Sequence, residues 1–199
     1  MLTIVSALRA EAEPIINVLP ETEVIPCGPG SLRRYTNFHL LRCGKGKQKA
    51  TASLNLYLKQ FNTGMVLLIG FAAALNHKFK IGQLFRITTV MNAQTNNFFD
   101  LSVYNPFQQL PGARLLTVPQ AVTTEGQKQN LRKRFKADLV DMEAFHLAQI
   151  CFRQNIQFGA IKGVTDLAGP KAGNEFKQNH QAVALKLFEI LRPLLKIEP

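Results

Sequence analysis

The sequence has no tryptophan, only three cysteines, and 13 acidic residues against 24 Lys and Arg. Each shortage excludes something. Cys27, Cys43 and Cys151 are odd in number and widely spaced, so they form neither a disulfide framework nor a set with metal-ligand spacing. His39, His77, His146 and His180 are scattered without an H-x-x-x-H pattern, and no metal or other cofactor is expected. The longest apolar runs, Met65 to Ile69 and Phe71 to Leu75, fall well short of the ~20 residues of a membrane span. Met1-Leu2-Thr3-Ile4-Val5-Ser6 lacks the basic and long apolar regions of a secretory signal. The expectation is a reduced cytoplasmic protein with no membrane span.

What is present is an ordinary globular composition: 199 residues, 46% hydrophobic and 19% charged. This excludes disorder as the main state and fits one domain, 1–199. The net charge of +11 invites a nucleic-acid reading. Its distribution argues against one. Lys45, Lys47 and Lys49 form one cluster and Arg132, Lys133, Arg134 and Lys136 another, but neither is interleaved with several aromatics as a stacking platform would be. Both are read as solvated helix faces, and nucleic acid is not expected as a partner.

Strand and helix signals alternate along the chain. Residues 2–7 are apolar and β-branched, a buried strand, after which Pro14 suits the first turn of a short helix ended by Pro20. Residues 22–43 hold two or three strands, the last His39 to Cys43, and Lys47 to Phe61 turns helical. Met65 to Ile69 reads as a central strand closed by Gly70, with another strand from Leu84 to Val90. Asn92 to Gly112 has no periodicity and reads as loop with room for one short element. Further on come a strand at Ala113 to Val118, a basic helix from Thr124-Glu125 to Phe135, and a strand at Ala137 to Met142. That strand runs into a helix from Glu143 to about Arg153. The last two elements are a strand at Phe158 to Thr165 and a helix from about Asn174 to Leu195. The pattern predicts an α/β domain with a central, mostly parallel but mixed sheet flanked by helices.

In such a sheet ligands bind at the carboxyl ends of the strands. Glu11, Glu143 and Asp166 each follow an apolar strand, so parallel strands could bring them to one edge. Taken singly each has a structural explanation: Glu11 and Glu143 favour helix N-termini, and Asp166 could cap a turn.

Five ordered segments carry a family resemblance. They are Ser6-Ala7-Leu8-Arg9-Ala10-Glu11, Cys43-Gly44-Lys45-Gly46-Lys47, Leu68 to Leu75 with Lys80 to Leu84, Val140-Asp141-Met142-Glu143-Ala144, and Val164-Thr165-Asp166-Leu167-Ala168. Together they resemble the nucleoside phosphorylase and nucleosidase superfamily, in particular 5′-methylthioadenosine/S-adenosylhomocysteine nucleosidases and hopanoid-associated relatives. Val122-Thr123-Thr124 to Leu131 also looks like relatives lacking the long purine loop. Without the family, Gly44-Lys45-Gly46-Lys47 is no P-loop, only a tight strand-to-helix turn.

The resemblance implies a nucleoside phosphorylase-like fold and hydrolysis of a 5′-substituted purine nucleoside to an adenine-type base, without cofactor, by a homo-oligomer such as a dimer. It implies that Asp166 protonates the leaving purine, Glu11 activates water, Glu143 holds the ribose hydroxyls and Met142 packs beside the sugar. Gly70, Phe71 and Ala72 would line the pocket, where small residues allow close approach. Phe71, in place of the Ser or Thr of many relatives, could with Phe98 or Phe99 take a hydrophobic 5′ group. Two alternatives stay open. Arg33 or Arg34 could hold phosphate bidentately for phosphorolysis, and the scaffold could be a non-catalytic nucleoside or nucleic-acid binder.

Overall fold

The computed structural model describes residues 1–103 and 106–197; residues 104 and 105, within the stretch read as loop, lie outside the described residues. In chain order the elements are β1 (Leu2–Ser6), α1 (Arg9–Val18), β2 (Val24–Cys27), β3 (Gly30–Arg34), β4 (Phe38–Arg42), α2 (Lys47–Gln60), β5 (Met65–Ala74) and β6 (Leu84–Asn92). They continue as β7 (Phe98–Asp100), β8 (Gly112–Thr117), α3 (Glu125–Phe135), β9 (Leu139–Asp141), α4 (Ala144–Arg153), β10 (Gln157–Asp166) and α5 (Ala172–Leu195). No helix among the described residues is long and apolar enough to cross a membrane.

The apolar runs become strands because helices cover both sheet faces. On one face Ile4, Leu67, Ile69 and Ile161 meet Ile15 of α1 and Val183, Leu187 and Leu191 of α5. On the other, Val5, Val66, Leu68 and Ala160 meet Leu54 and Tyr57 of α2 and Leu147 and Ala148 of α4. Each large aliphatic side chain buried this way stabilises the fold by about 1.5–3 kcal/mol. α3 buries no residue, in keeping with its reading as a solvated basic helix. Its N-cap Thr124 accepts a hydrogen bond from Gln127 N–H (3.2 Å), and Arg132, Lys133 and Arg134 complement its C-terminal dipole.

The sheet is mixed. Among the described residues β1–β4, β1–β5, β5–β10, β6–β8 and β8–β9 pair in parallel. β2–β3, β3–β4, β5–β9, β6–β7 and β6–β10 pair antiparallel. The pairings β5–β10–β6–β8–β9–β5 close a ring, while β1, β4, β3 and β2 extend from β5 as an open sheet. The single long strand β5 joins the two parts: Met65 to Leu68 pair with β1, and Ala73 and Ala74 with β9.

Several boundaries differ from expectation. β5 does not stop at Gly70 but continues to Ala74, because the glycine serves a close approach rather than a break. β6 runs on to Asn92, and β7 forms within the stretch read as loop, added to β6 by backbone pairing that needs no alternation over three residues. β9 is only Leu139–Asp141. Pro14 sits in the middle of α1, whose first turn begins at Arg9.

Candidate active site

β1 ends at Ser6, and a two-residue connection starts α1 so that Glu11 falls in its first turn. Its Oε2 accepts hydrogen bonds from the N–H of Ala7 (2.7 Å) and Leu8 (2.8 Å), which is the helix-terminus role. Its Oε1 goes further and accepts from Phe71 N–H of β5 (2.9 Å). A side chain at Gly70 would overlap this carboxylate, so glycine there lets β5 pass against it. Burial raises the pKa of Glu11, opposed by Lys162 and the three N–H donors.

Glu143 occupies the N-cap position of α4 yet makes no cap bond. Its Oε1 instead accepts Gly46 N–H at 2.6 Å. The turn that offers this N–H has Gly44 at φ +87° and Gly46 at φ +85°, a backbone that side chains other than glycine rarely adopt. α4 is served by Asp141, two residues earlier, whose Oδ2 accepts Ala144 N–H (3.1 Å). The helix-terminus role that the sequence allowed for Glu143 therefore falls to Asp141, leaving Glu143 turned to the cavity. Burial and the neighbouring Asp141 push the pKa of Glu143 up to about 7 against the pull of Lys162.

Asp166 ends β10. The register of β10 on β5 shifts between Val164 and Asp166, a bulge that re-aims the last side chain. Its Oδ2 accepts Thr165 Oγ1–H (3.0 Å) and its Oδ1 accepts Ala168 N–H (3.2 Å). Burial raises its pKa above the ordinary aspartate value, which favours a carboxyl able to donate a proton.

The sequence reading gave no role to Lys162, the one charged side chain in the otherwise apolar β10 run before Asp166. It is 1% exposed and its Nζ lies 3.0 Å from Asp141 Oδ2. Asp141 also accepts Thr117 Oγ1–H at 2.7 Å. Burial works against the lysine's charge, but Asp141, Glu11 and Glu143 outweigh it and raise its pKa above the ordinary value. One buried cation thus interacts with three carboxylates and offsets part of their charge. A lysine inside a strand buried on both faces was the available signal, since such a residue requires a partner.

Glu11, Glu143 and Asp166 line one cavity of about 510 Å³. Met142, Phe71 and Ala72 line it as expected, and Phe176 of α5 adds a ring 5.6 Å from that of Phe71. Other expected residues lie elsewhere. Gly70 stands behind Glu11 rather than on the wall. Arg33 and Arg34 do not line the cavity: Arg33 donates to the Thr22 carbonyl (3.0 Å) and Arg34 lies over the Phe61 ring. β3 runs from Ser31 beside Arg42 to Arg34 beside His39 near the start of β4, so it carries both arginines away from the strand ends that hold the acids. Phe99 stacks on Phe152 (4.7 Å), and Phe98 is 65% exposed on a separate depression. Neither lines the cavity that holds the three acids. Among the described residues no group of three His, Cys, Asp or Glu could hold a metal ion.

Residues 114–196 match the model of the phosphorylase superfamily. The 5′-methylthioadenosine/S-adenosylhomocysteine nucleosidase of Bacillus subtilis (strain 168) is 25% identical over an alignment of 228 positions covering 98% of both chains. Among solved structures, the nucleosidase of that name from Helicobacter pylori with butyl-thio-DADMe-Immucillin-A superposes with a TM-score of 0.87 at 21% identity, covering 98% of this chain and 97% of the other. Futalosine hydrolase of Helicobacter pylori strain 26695 superposes with a TM-score of 0.86 at 20% identity, with the same coverage. These matches agree with the class to which the motifs pointed: the chain has the α/β fold of these nucleosidases and is similar over residues 114–196 to the phosphorylase superfamily. Within that class it is similar to the methylthioadenosine/S-adenosylhomocysteine nucleosidases.

Proposed function

We propose that this protein is a nucleoside N-ribosyl hydrolase that releases an adenine-type base from a 5′-substituted purine nucleoside of the methylthioadenosine or S-adenosylhomocysteine kind. The observation that carries the reading is the meeting of Glu11, Glu143 and Asp166, from the ends of three strands, in one cavity with an apolar wall. An N-glycosidic bond breaks with positive charge developing on the sugar and negative charge on the base, so protonating the base and surrounding the sugar with carboxylates lowers the barrier. In this reading protonated Asp166 gives its proton to the purine as the C1′–N9 bond breaks and its electron pair moves to the base. Water adds to C1′ and gives its proton to ionised Glu11, held in place by three backbone N–H groups. Glu143, anchored by Gly46 N–H, accepts from the ribose hydroxyls, and Met142 flanks the sugar. The raised pKa of Glu11 suits a base, and that of Asp166 an acid, near neutral pH.

The placement of Arg33 and Arg34 outside the cavity favours water over phosphate as the nucleophile. The test is chromatographic: free base released from methylthioadenosine, S-adenosylhomocysteine, adenosine, inosine and guanosine, each with and without phosphate. Release without phosphate is expected. Release only with phosphate would move the reading to a phosphorylase, and release from none would leave a binding role. The reading extends to a cytoplasmic homo-oligomer, with a dimer expected by light scattering.

A further inference from the structure

The cavity wall is apolar, acidic or neutral, with one basic exception. Lys45 is the single Lys or Arg among its lining residues, and it is exposed. The ion pairs among the described residues involve Arg9, Arg132, Lys162 and Arg192, and Lys45 takes part in none. Its position is nonetheless built. It sits between Gly44 and Gly46, both at positive φ, and the next N–H along the chain, that of Gly46, is bound to Glu143. Lys45 therefore stands beside the carboxylate read as holding the ribose hydroxyls, while Asp166, read as facing the base, comes from β10. With the base toward Asp166 and the hydroxyls on Glu143, the sugar substituent left to meet Lys45 is the one at C5′. An anion elsewhere in the cavity would face Glu11, Glu143 or Asp166.

We propose that Lys45 is a specificity residue selecting purine nucleosides whose 5′ substituent ends in an anionic group, a carboxylate or a phosphate. The proposal rests on the N-ribosyl hydrolase reading of the same cavity. A lysine suits this task because its ammonium is a point charge on a flexible four-carbon stem, able to follow a substituent of variable length.

The experiment compares two nucleosides alike in bulk and different in charge, 5′-butylthio-5′-deoxyadenosine and 5′-(3-carboxypropylthio)-5′-deoxyadenosine, with adenosine 5′-monophosphate as the phosphate arm. The readout is the ratio of kcat/KM for charged over neutral substrate. It is expected to exceed one by roughly three- to fivefold at low ionic strength, the upper range of an exposed ion pair. It should fall toward one in added salt, fall to one or below in Lys45→Met, and persist in Lys45→Arg and Lys47→Met. Preference for the monophosphate over the carboxylate would identify phosphate as the group recognised. A wild-type ratio of one or less, or a ratio unchanged in Lys45→Met, overturns the proposal. So does base release that requires inorganic phosphate and loses that dependence in Lys45→Met, because Lys45 would then hold a co-substrate. If no nucleoside is cleaved the hydrolase reading fails by itself. Thermal shifts with the same two compounds then decide on Lys45, a greater shift by the charged one in wild type alone supporting it and equal shifts overturning it.

Discussion

The strands at the centre of the sheet carry buried polar groups at both ends, and the two sets differ in kind. At the amino ends, Thr3 Oγ1 lies 2.7 Å from Tyr57 OH, which lies 2.8 Å from His39 Nδ1, and Thr3 also donates to Thr63 Oγ1 (2.9 Å). These are neutral groups that satisfy one another, enclosed by the edge contacts of His39 with Tyr57 and Phe61. Burial, with Arg34 nearby, lowers the pKa of His39 and keeps it uncharged. At the carboxyl ends, Glu11, Glu143, Asp166 and Lys162 titrate at shifted pKa, and these three carboxylates line a cavity together with Asp141. A polar network closed on itself fixes the packing of elements. One held by backbone N–H groups, with acceptor capacity left toward open space, is arranged for a ligand.

Substitutions that keep shape but change chemistry break this contrast if it is wrong. The largest effect is expected from Asp166→Asn, which removes the proton donor in an isosteric change. Base release should fall by about 10²–10⁴-fold, while thermal melting is held or rises because a buried carboxyl with raised pKa has become neutral. Turnover retained in this variant would take Asp166 out of the chemistry. Lys162→Met comes next: with three carboxylates left without their buried cation, urea denaturation should show a loss of roughly 3–5 kcal/mol at neutral pH. The loss should shrink in acid as those carboxyls protonate, and equal losses at both pH values would contradict the charge balance.

Tyr57→Phe is the matching change at the other end. It leaves Thr3 and His39 without their shared hydroxyl and should lower stability by about 1–3 kcal/mol, with base release per folded molecule unchanged. A drop in release would show that the two ends are coupled.

The smallest effect sharpens the comparison through pH. Glu143 has a pKa of about 7 in the folded protein against an ordinary value of 4.5, so between these the folded state binds more protons than the unfolded. Its contribution to stability is greatest below the lower value, falls as pH rises and is flat above the upper one. Glu143→Gln removes that slope, and its melting temperature should gain steadily on wild type between about pH 5 and about pH 8. A gap that does not change with pH would place Glu143 in a solvated setting.

Much of this arrangement is legible in the chain. The β-branched run at Leu2–Ser6 and the i, i+3, i+4 repeat through Leu187, Phe188, Leu191 and Leu195 mark elements because burial periodicity is local. Glu11, Glu143 and Asp166 could be picked out because each follows a strand whose carboxyl end the parallel topology delivers to one edge. Asp141 and Lys162 were harder: they lie 21 positions apart in the numbering, and their 3.0 Å contact depends on which strands become neighbours. The division of labour in Asp141-Met142-Glu143 was hidden for the same reason. Either acid could serve the start of α4, and only the approach of Gly46 to Glu143 and of Lys162 to Asp141 decides between them. Phe98, Phe99, Arg33 and Arg34 show the converse, for residue type suggested a use that strand direction and pairing removed.

The sequence by itself determined the α/β class, the order of most elements, the three carboxylates at strand ends and the glycines at turns and close approaches. These follow from periodicity, backbone sterics and the alternation of strand and helix, all carried by neighbours in the chain. The tertiary structure alone decided the closure of the β5–β10–β6–β8–β9 ring, the pairing of Lys162 with Asp141 and the placing of Lys45 on the cavity wall. Each depends on backbone segments far apart in sequence coming within hydrogen-bond or contact distance, and no local pattern specifies such a meeting.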